Sequence, residues 1–107
     1  WWGGIITGTY TVYWYLVNGV PRYIGQTSNF IQRAQYHLET KGWLVEPIKG
    51  LQRLSSFDAR AVEQVLIEFY GLENLYNKIF SVSVSNPLYP EAIKRGREIL
   101  NSIGFFR

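Results

Sequence analysis

The chain has 107 residues, a formal net charge of +3, a single histidine and no cysteine. That length supports one domain with a modest core, and the missing cysteines exclude a disulfide scaffold or a structural zinc site. No run of about 18 apolar residues is available to span a membrane, and an aromatic content of 17% argues against disorder.

The lack of any methionine, even at position 1, reads as a processed product or a piece of a longer chain. The apolar start, Trp1-Trp2-Gly3-Gly4-Ile5-Ile6, has no basic flank and is too short for a signal peptide. Residues 1–8 are expected to form a linker or an extended N-terminal segment, with one domain over the whole of 1–107 and no stable membrane association. The mild positive charge is compatible with a polyanionic partner.

Thr9 to Val17 is β-branched and aromatic throughout, which predicts a strand covered on both faces. Asn18-Gly19 is a strong hairpin signal, and Val20 to Gly25 is the return strand, with Pro21 limiting its pairing. The length of that turn matters. A two-residue turn pairs Val17 with Val20 and sends Tyr13 and Tyr23 to opposite faces. A three-residue loop with Gly19 at left-handed dihedrals pairs Leu16 with Val20 and sets Tyr13 opposite Tyr23, β-carbons roughly 5 Å apart. The second register is the expectation.

Ser28 or Asn29 can cap a helix over about Phe30 to Lys41, stopped by Gly42. Its expected buried stripe is Phe30, Ile31, Ala34 and Leu38, with Arg33 and His37 four apart on the border. Trp43 to Ile48 is a plausible third strand, followed by a connection over Lys49 to Leu54. A second helix starts near Ser56 to Asp58 and ends before Gly71. Its expected core face is Ala59, Val62, Leu66 and Phe69, with Val65 alongside and Glu63 on the flank. Leu72 to Ser85 reads as irregular. Pro90 suits the first turn of a last helix reaching about Ile103, with Gly104 as its stop. The fold class is therefore α+β: a small three-stranded antiparallel sheet, opened by the N-terminal hairpin, packed with about three helices.

Tyrosines, a border arginine, a lone histidine and a flank glutamate each have a plain structural reading as packing or surface groups. Their joint spacing resembles the GIY-YIG nuclease superfamily. Thr11-Val12-Tyr13 stands where that family has Gly-Ile-Tyr, with Thr11 as the departure, and Tyr23-Ile24-Gly25 matches the second half. Arg33 falls ten residues after Tyr23, where the family carries its catalytic arginine, and His37 lies four further on. Glu63 matches the later metal-binding glutamate, and Asn77 a downstream asparagine that supports the site. The stretches Ala59 to Gln64, Tyr70 to Lys78 and Asn86-Pro87-Leu88-Tyr89 look like GIY-YIG domains at the C-terminal ends of large bacterial polymorphic toxins, of the contact-dependent inhibition and Rhs types. Phe80 departs from a loop that is usually more polar there.

The resemblance implies a metal-dependent nuclease that hydrolyses phosphodiester bonds in DNA or RNA. Its catalytic residues would be Tyr13, Tyr23, Arg33, His37 and Glu63. Glu63 would hold one divalent cation, Mg2+ or Mn2+, which favours oxygen ligands and keeps several waters. Tyr13 would act as general base, although a phenol with a pKa near 10 needs a neighbouring cation or donor to do so at neutral pH. Arg33 would pair with a non-bridging phosphate oxygen. Gly25 and Asn77 would support the site, and Lys41, Lys49, Arg53, Arg60 and Lys78 would steer the nucleic acid. Such a domain would be secreted or delivered at a cell surface, released from a larger toxin carrier into the cytoplasm of a target bacterium, and neutralised by a cognate immunity protein. The alternatives are a GIY-YIG endonuclease of the DNA repair or restriction type, and a non-catalytic module that binds single-stranded nucleic acid on its aromatic hairpin. An Asp/Glu-x-Lys nuclease rests only on Glu39-Thr40-Lys41 and lacks the upstream aspartate.

Overall fold

A strand rich in β-branched and aromatic residues needs cover on both faces, and the central strand here receives it. The computed structural model describes residues 8–106; the N-terminal linker expected over 1–8 lies, apart from Gly8, outside the described residues. Strand β1, Thr11–Val17, pairs antiparallel with β2, Val20–Thr27, and on its other side with the short β3, Glu46–Pro47. The sheet order is β2-β1-β3. Helices α1, Phe30–Lys41, α2, Ser56–Tyr70, and α3, Tyr89–Ser102, complete the α+β fold, with a 3-10 turn at Leu72–Asn74.

One face of the sheet carries the apolar core. Val12 and Ile24 are fully buried there and pack with Val62, Leu66 and Leu100 from α2 and α3. Side chains alternate along a strand, so Tyr13 and Tyr15 point to the other face, which α1 covers in part.

The hairpin corrects the expected register. Asn18 and Gly19 both have positive φ, 53° and 79°, as a two-residue type I′ turn requires. Val17 therefore pairs with Val20, and Leu16 with Pro21. A bulge then intervenes: Tyr15 pairs with Tyr23, leaving Arg22 as the extra residue. Pro21 has no amide to give a ladder, so the slip is placed where regular pairing is weakest. Tyr13 thus faces Gly25 rather than Tyr23. Tyr13 and Tyr23 still share a face as diagonal neighbours, with ring centroids 6.3 Å apart.

Helix α1 begins as expected, with the Asn29 side chain accepting from the Gln32 amide at 3.1 Å, and ends at left-handed Gly42. Its buried face differs from the predicted stripe. Ile31 is 81% exposed and Leu38 49%, whereas His37 is only 3% exposed. The sheet face below is aromatic and polar, so the helix turns Phe30 and His37 toward it: Tyr13 contacts the Phe30 ring edge-on at 5.9 Å and the His37 ring at 5.6 Å.

The predicted third strand, Trp43 to Ile48, shrinks to Glu46–Pro47. Pro47 again withholds an amide, and Trp43 is drawn away to stack on Tyr15 at 4.8 Å. Looser pairing continues beyond β3, where Ile48 donates to the Val12 carbonyl and Val12 to the Leu51 carbonyl.

Helix α2 is capped by Ser55, whose hydroxyl accepts from the Asp58 amide at 3.1 Å. It packs against the sheet on one side and α3 on the other, so burial extends to Ala61, Val65 and Ile67. Phe69, expected in the core, is 58% exposed and sits edge-on to Phe105 and Phe106 on the outer side. Gly96 lets α3 approach closely: a β-carbon there would lie 2.5 Å from the Ala61 carbonyl oxygen.

Candidate active site

Tyr13 is the centre of the site because β1 is the middle strand and the bulge aligns its phenol with its neighbours. It is 2% exposed, and its hydroxyl lies 2.9 Å from His37 Nε2. Burial pushes the Tyr13 phenol well above its usual value; Tyr23 and Glu63 add to that, and Arg33 pulls it back. Burial also lowers the His37 pKa, and the Lys41 and Arg33 charges lower it further. Tyr13 therefore rests as a neutral phenol beside a neutral imidazole. In the tautomer with Nε2 free, the phenol donates to it. His37 Nδ1 is buried without a hydrogen-bond partner among the described residues.

Gly25 is required by this phenol rather than by its own backbone. A β-carbon at position 25 would stand 2.4 Å from Tyr13 Cζ and 2.5 Å from Tyr13 Oη. The ring lies across the strand onto the space that glycine leaves open. Tyr23 flanks it on the same face, edge-on to His37 at 5.4 Å. Burial raises its pKa as well, with Glu63 acting in the same direction and Arg33 against it.

Glu63 projects from the flank of α2, one position beyond the fully buried Val62. Burial lifts its pKa from 4.5 to about 7, with Ser81 and Arg60 pulling it back only in part. A carboxylate withdrawn from water is costly to ionise where neighbouring cations and donors compensate it only in part. Its charge reaches both phenols, as does that of Arg33 from the opposite sense. Arg33 is exposed, and among the described residues the ion pairs are those of Arg95 with Asp58 and Glu98, so its guanidinium is uncommitted. It lies 5.6 Å from the Tyr36 ring centre, beside an open hollow lined by Thr27, Asn29, Gln32 and Tyr36.

Among the described residues no group of three or more His, Cys, Asp or Glu side chains is placed to hold a metal ion. Glu63 alone fits a hard, mostly hydrated divalent cation with one protein oxygen ligand. The raised pKa fits the same reading, since a bound cation would neutralise the charge that burial penalises.

Asn77 acts on backbone. Its amide Nδ2 donates to the Ile24 carbonyl at 2.7 Å, and its Oδ1 accepts from the Ile24 amide at 3.0 Å. With the Tyr76 amide donating to the Arg22 carbonyl at 2.5 Å, this segment closes the outer edge of β2. The Tyr23-Ile24-Gly25 tripeptide is thereby held from both sides.

Structure thus gathers Tyr13, Tyr23, His37 and Gly25 by direct contact, joins Asn77 through Ile24, and couples Arg33 and Glu63 through their charges. Of the predicted basic rim, Lys41 lies 5.2 Å from the Trp43 ring, Arg60 acts on Glu63, and Lys78 follows Asn77. Lys49 and Arg53 are exposed on the connection before α2, and among the described residues no contact brings them to this cluster. Sequence reasoning missed Trp43, Tyr36, Tyr76, Arg22 and Gln64. The first four are aromatic or cationic residues immediately beside a predicted site residue or helix stop, a signal that was present. Gln64 is fully buried and accepts from the Val82 amide at 2.8 Å, holding the loop that carries Ser81.

No family model, curated protein sequence or solved structure matches the chain.

Proposed function

We propose that this chain is a metal-dependent nuclease of the GIY-YIG kind, hydrolysing phosphodiester bonds in DNA or RNA. The observation that carries the reading is Glu63: a half-buried carboxylate, costly to ionise, whose charge acts on the same two phenols as that of the exposed Arg33. A folded domain retains such a group against its own stability when the group has work to do. A glutamate without such work stays on the wet side, as Glu68 does on the same helix.

The parts divide the reaction. Attack at phosphorus needs a deprotonated nucleophile, relief of negative charge and a stabilised leaving oxygen. Glu63 would hold a divalent ion, which when bound would supply Lewis acidity at the phosphate. Arg33 donates to a non-bridging oxygen, with the fork geometry that a lysine lacks. Tyr13 takes the proton of the attacking water as its own passes to neutral His37 Nε2, over the 2.9 Å hydrogen bond between them. That relay relieves the burden on a phenol whose pKa is raised, because its oxygen need not stay ionised. Tyr23 flanks the Tyr13 and His37 rings on the same face, and Asn77 keeps the strand beneath them in register.

Sequence likeness to polymorphic toxins supports the wider assignment. In that reading the domain is the toxic effector of a larger carrier, is delivered to a target bacterium, and is neutralised by an immunity protein. None of its helices is long and apolar enough to cross a membrane, among the described residues. A non-catalytic single-strand-binding module is favoured by the half-exposed Tyr36 and Tyr76 and opposed by the cost of Glu63.

The test is incubation of the purified protein with plasmid DNA and with total RNA, with magnesium or with chelator, beside Glu63→Ala and Arg33→Ala. Magnesium-dependent cleavage that both substitutions abolish is expected. Full activity in chelator, or activity surviving in Glu63→Ala, rules the scheme out.

A further inference from the structure

A row of rings runs across the open side of the site. Tyr36 meets His37 edge-on at 5.6 Å; His37 stacks on Trp43 at 5.5 Å and 21°; Trp43 stacks on Tyr76 at 5.6 Å and 23°. Tyr15 supports Trp43 from the sheet at 4.8 Å and 10°. The row is no part of the apolar core, which lies on the other face of the sheet. Both its ends reach solvent, with Tyr36 49% and Tyr76 46% exposed.

Cations accompany each end. Arg33 stands 5.6 Å and Lys41 5.9 Å from the Tyr36 ring, and Arg22 lies 5.2 Å over Tyr76. None of the three has a carboxylate partner among the described residues. The nearest acid on α1, Glu39, is engaged by Gln35 at 3.1 Å. The bulge at Arg22 matters here, because the Tyr76 amide is tied to the Arg22 carbonyl and so both residues are held at that end. A stacked run from His37 to Tyr76, with the edge-on Tyr36 at its other end, half-exposed tyrosines at both ends and unpaired cations beside them, matches a strand of alternating bases and phosphates. A duplex keeps its base faces stacked on one another and offers none to a tyrosine.

We infer that the substrate is a single-stranded or unpaired stretch of nucleic acid, its bases stacking on Tyr36 and Tyr76 and its phosphates contacting Arg33, Lys41 and Arg22. This rests on the nuclease reading above and narrows its substrate.

Binding is measured by fluorescence anisotropy with the non-cleaving Glu63→Gln protein in chelator at fixed salt. The probes are labelled oligothymidylate, labelled oligouridylate and a duplex of equal length. Both single strands should bind about tenfold or more tighter than the duplex, and Tyr36→Ala and Tyr76→Ala should each weaken single-strand binding by about tenfold. Tyr36→Trp and Tyr76→Phe should keep it. Tyr36 lies on the helix surface, so its variants report even where Tyr76→Ala disturbs folding. Duplex binding as tight as single-strand binding, no binding to any probe, or affinity unchanged on removing the rings overturns the inference. Wild-type cleavage of the same probes in magnesium separates the two readings. Ring-dependent binding without cleavage sinks the nuclease and leaves the stacking site. Cleavage with ring-independent binding does the reverse.

Discussion

Replacing Glu63 with glutamine should stabilise the folded domain above neutral pH while removing the proposed nuclease activity. Burial raises the carboxyl from 4.5 to about 7, a gap equivalent to about 3 kcal/mol between the protonation states. Between those two pH values the folded state holds a proton that the unfolded chain has released. The contribution of the protonated group is therefore complete below pH 4.5 and is lost as pH rises through about 7. Glutamine is neutral at every pH and so carries no such penalty. Urea unfolding in chelator across pH 4 to 9 should show the variant gaining on wild type by on the order of 3 kcal/mol over this range. His37 works oppositely, since its lowered pKa makes the folded state gain stability as pH rises through its range. That effect is common to both proteins and cancels in their difference. Magnesium at pH 8 should then raise the melting temperature of wild type and leave the variant unmoved. A difference that does not change with pH, or a variant less stable than wild type at pH 8, would refute the reasoning.

Gly25→Ala should cost roughly 1–3 kcal/mol by driving a methyl into the Tyr13 ring. Much of that cost should vanish in a Tyr13→Ala background, a coupling that chemical denaturation of the double-mutant cycle measures. Asn77→Ala removes both hydrogen bonds to Ile24 and should destabilise by roughly 1–3 kcal/mol. Amide hydrogen exchange should show Ile24 losing protection ahead of β1. Gly96→Ala should lower the melting temperature even though alanine is the better helix former by about 1 kcal/mol, because its β-carbon meets the Ala61 carbonyl.

The fold was legible wherever a local rule had no competitor. Asn29, Gly42, Ser56, Gly71 and Gly104 bound the helices within a residue or two of where capping and glycine rules put them. Sheet and helices follow from the periodicities of their segments. The face α1 turns inward was not legible that way. Hydropathy selects Ile31 and Leu38, but the surface that receives the helix is a layer of phenols, and it selects His37.

The same division runs through the site. Sequence by itself determined which chemical groups are present and in what order: two tyrosines on a hairpin, an arginine and histidine on one helix, a glutamate on the next. Whether they meet depended on one bulged residue. A two-residue turn alone would have put Tyr13 and Tyr23 on opposite faces, and the extra residue at Arg22 restored them to one. Register is a property of a pairing between strands, decided by the partner and by what covers each face. The burial that lifts Glu63 and the phenols likewise comes from elements distant in the chain. Only the tertiary structure could decide that these groups act on one another.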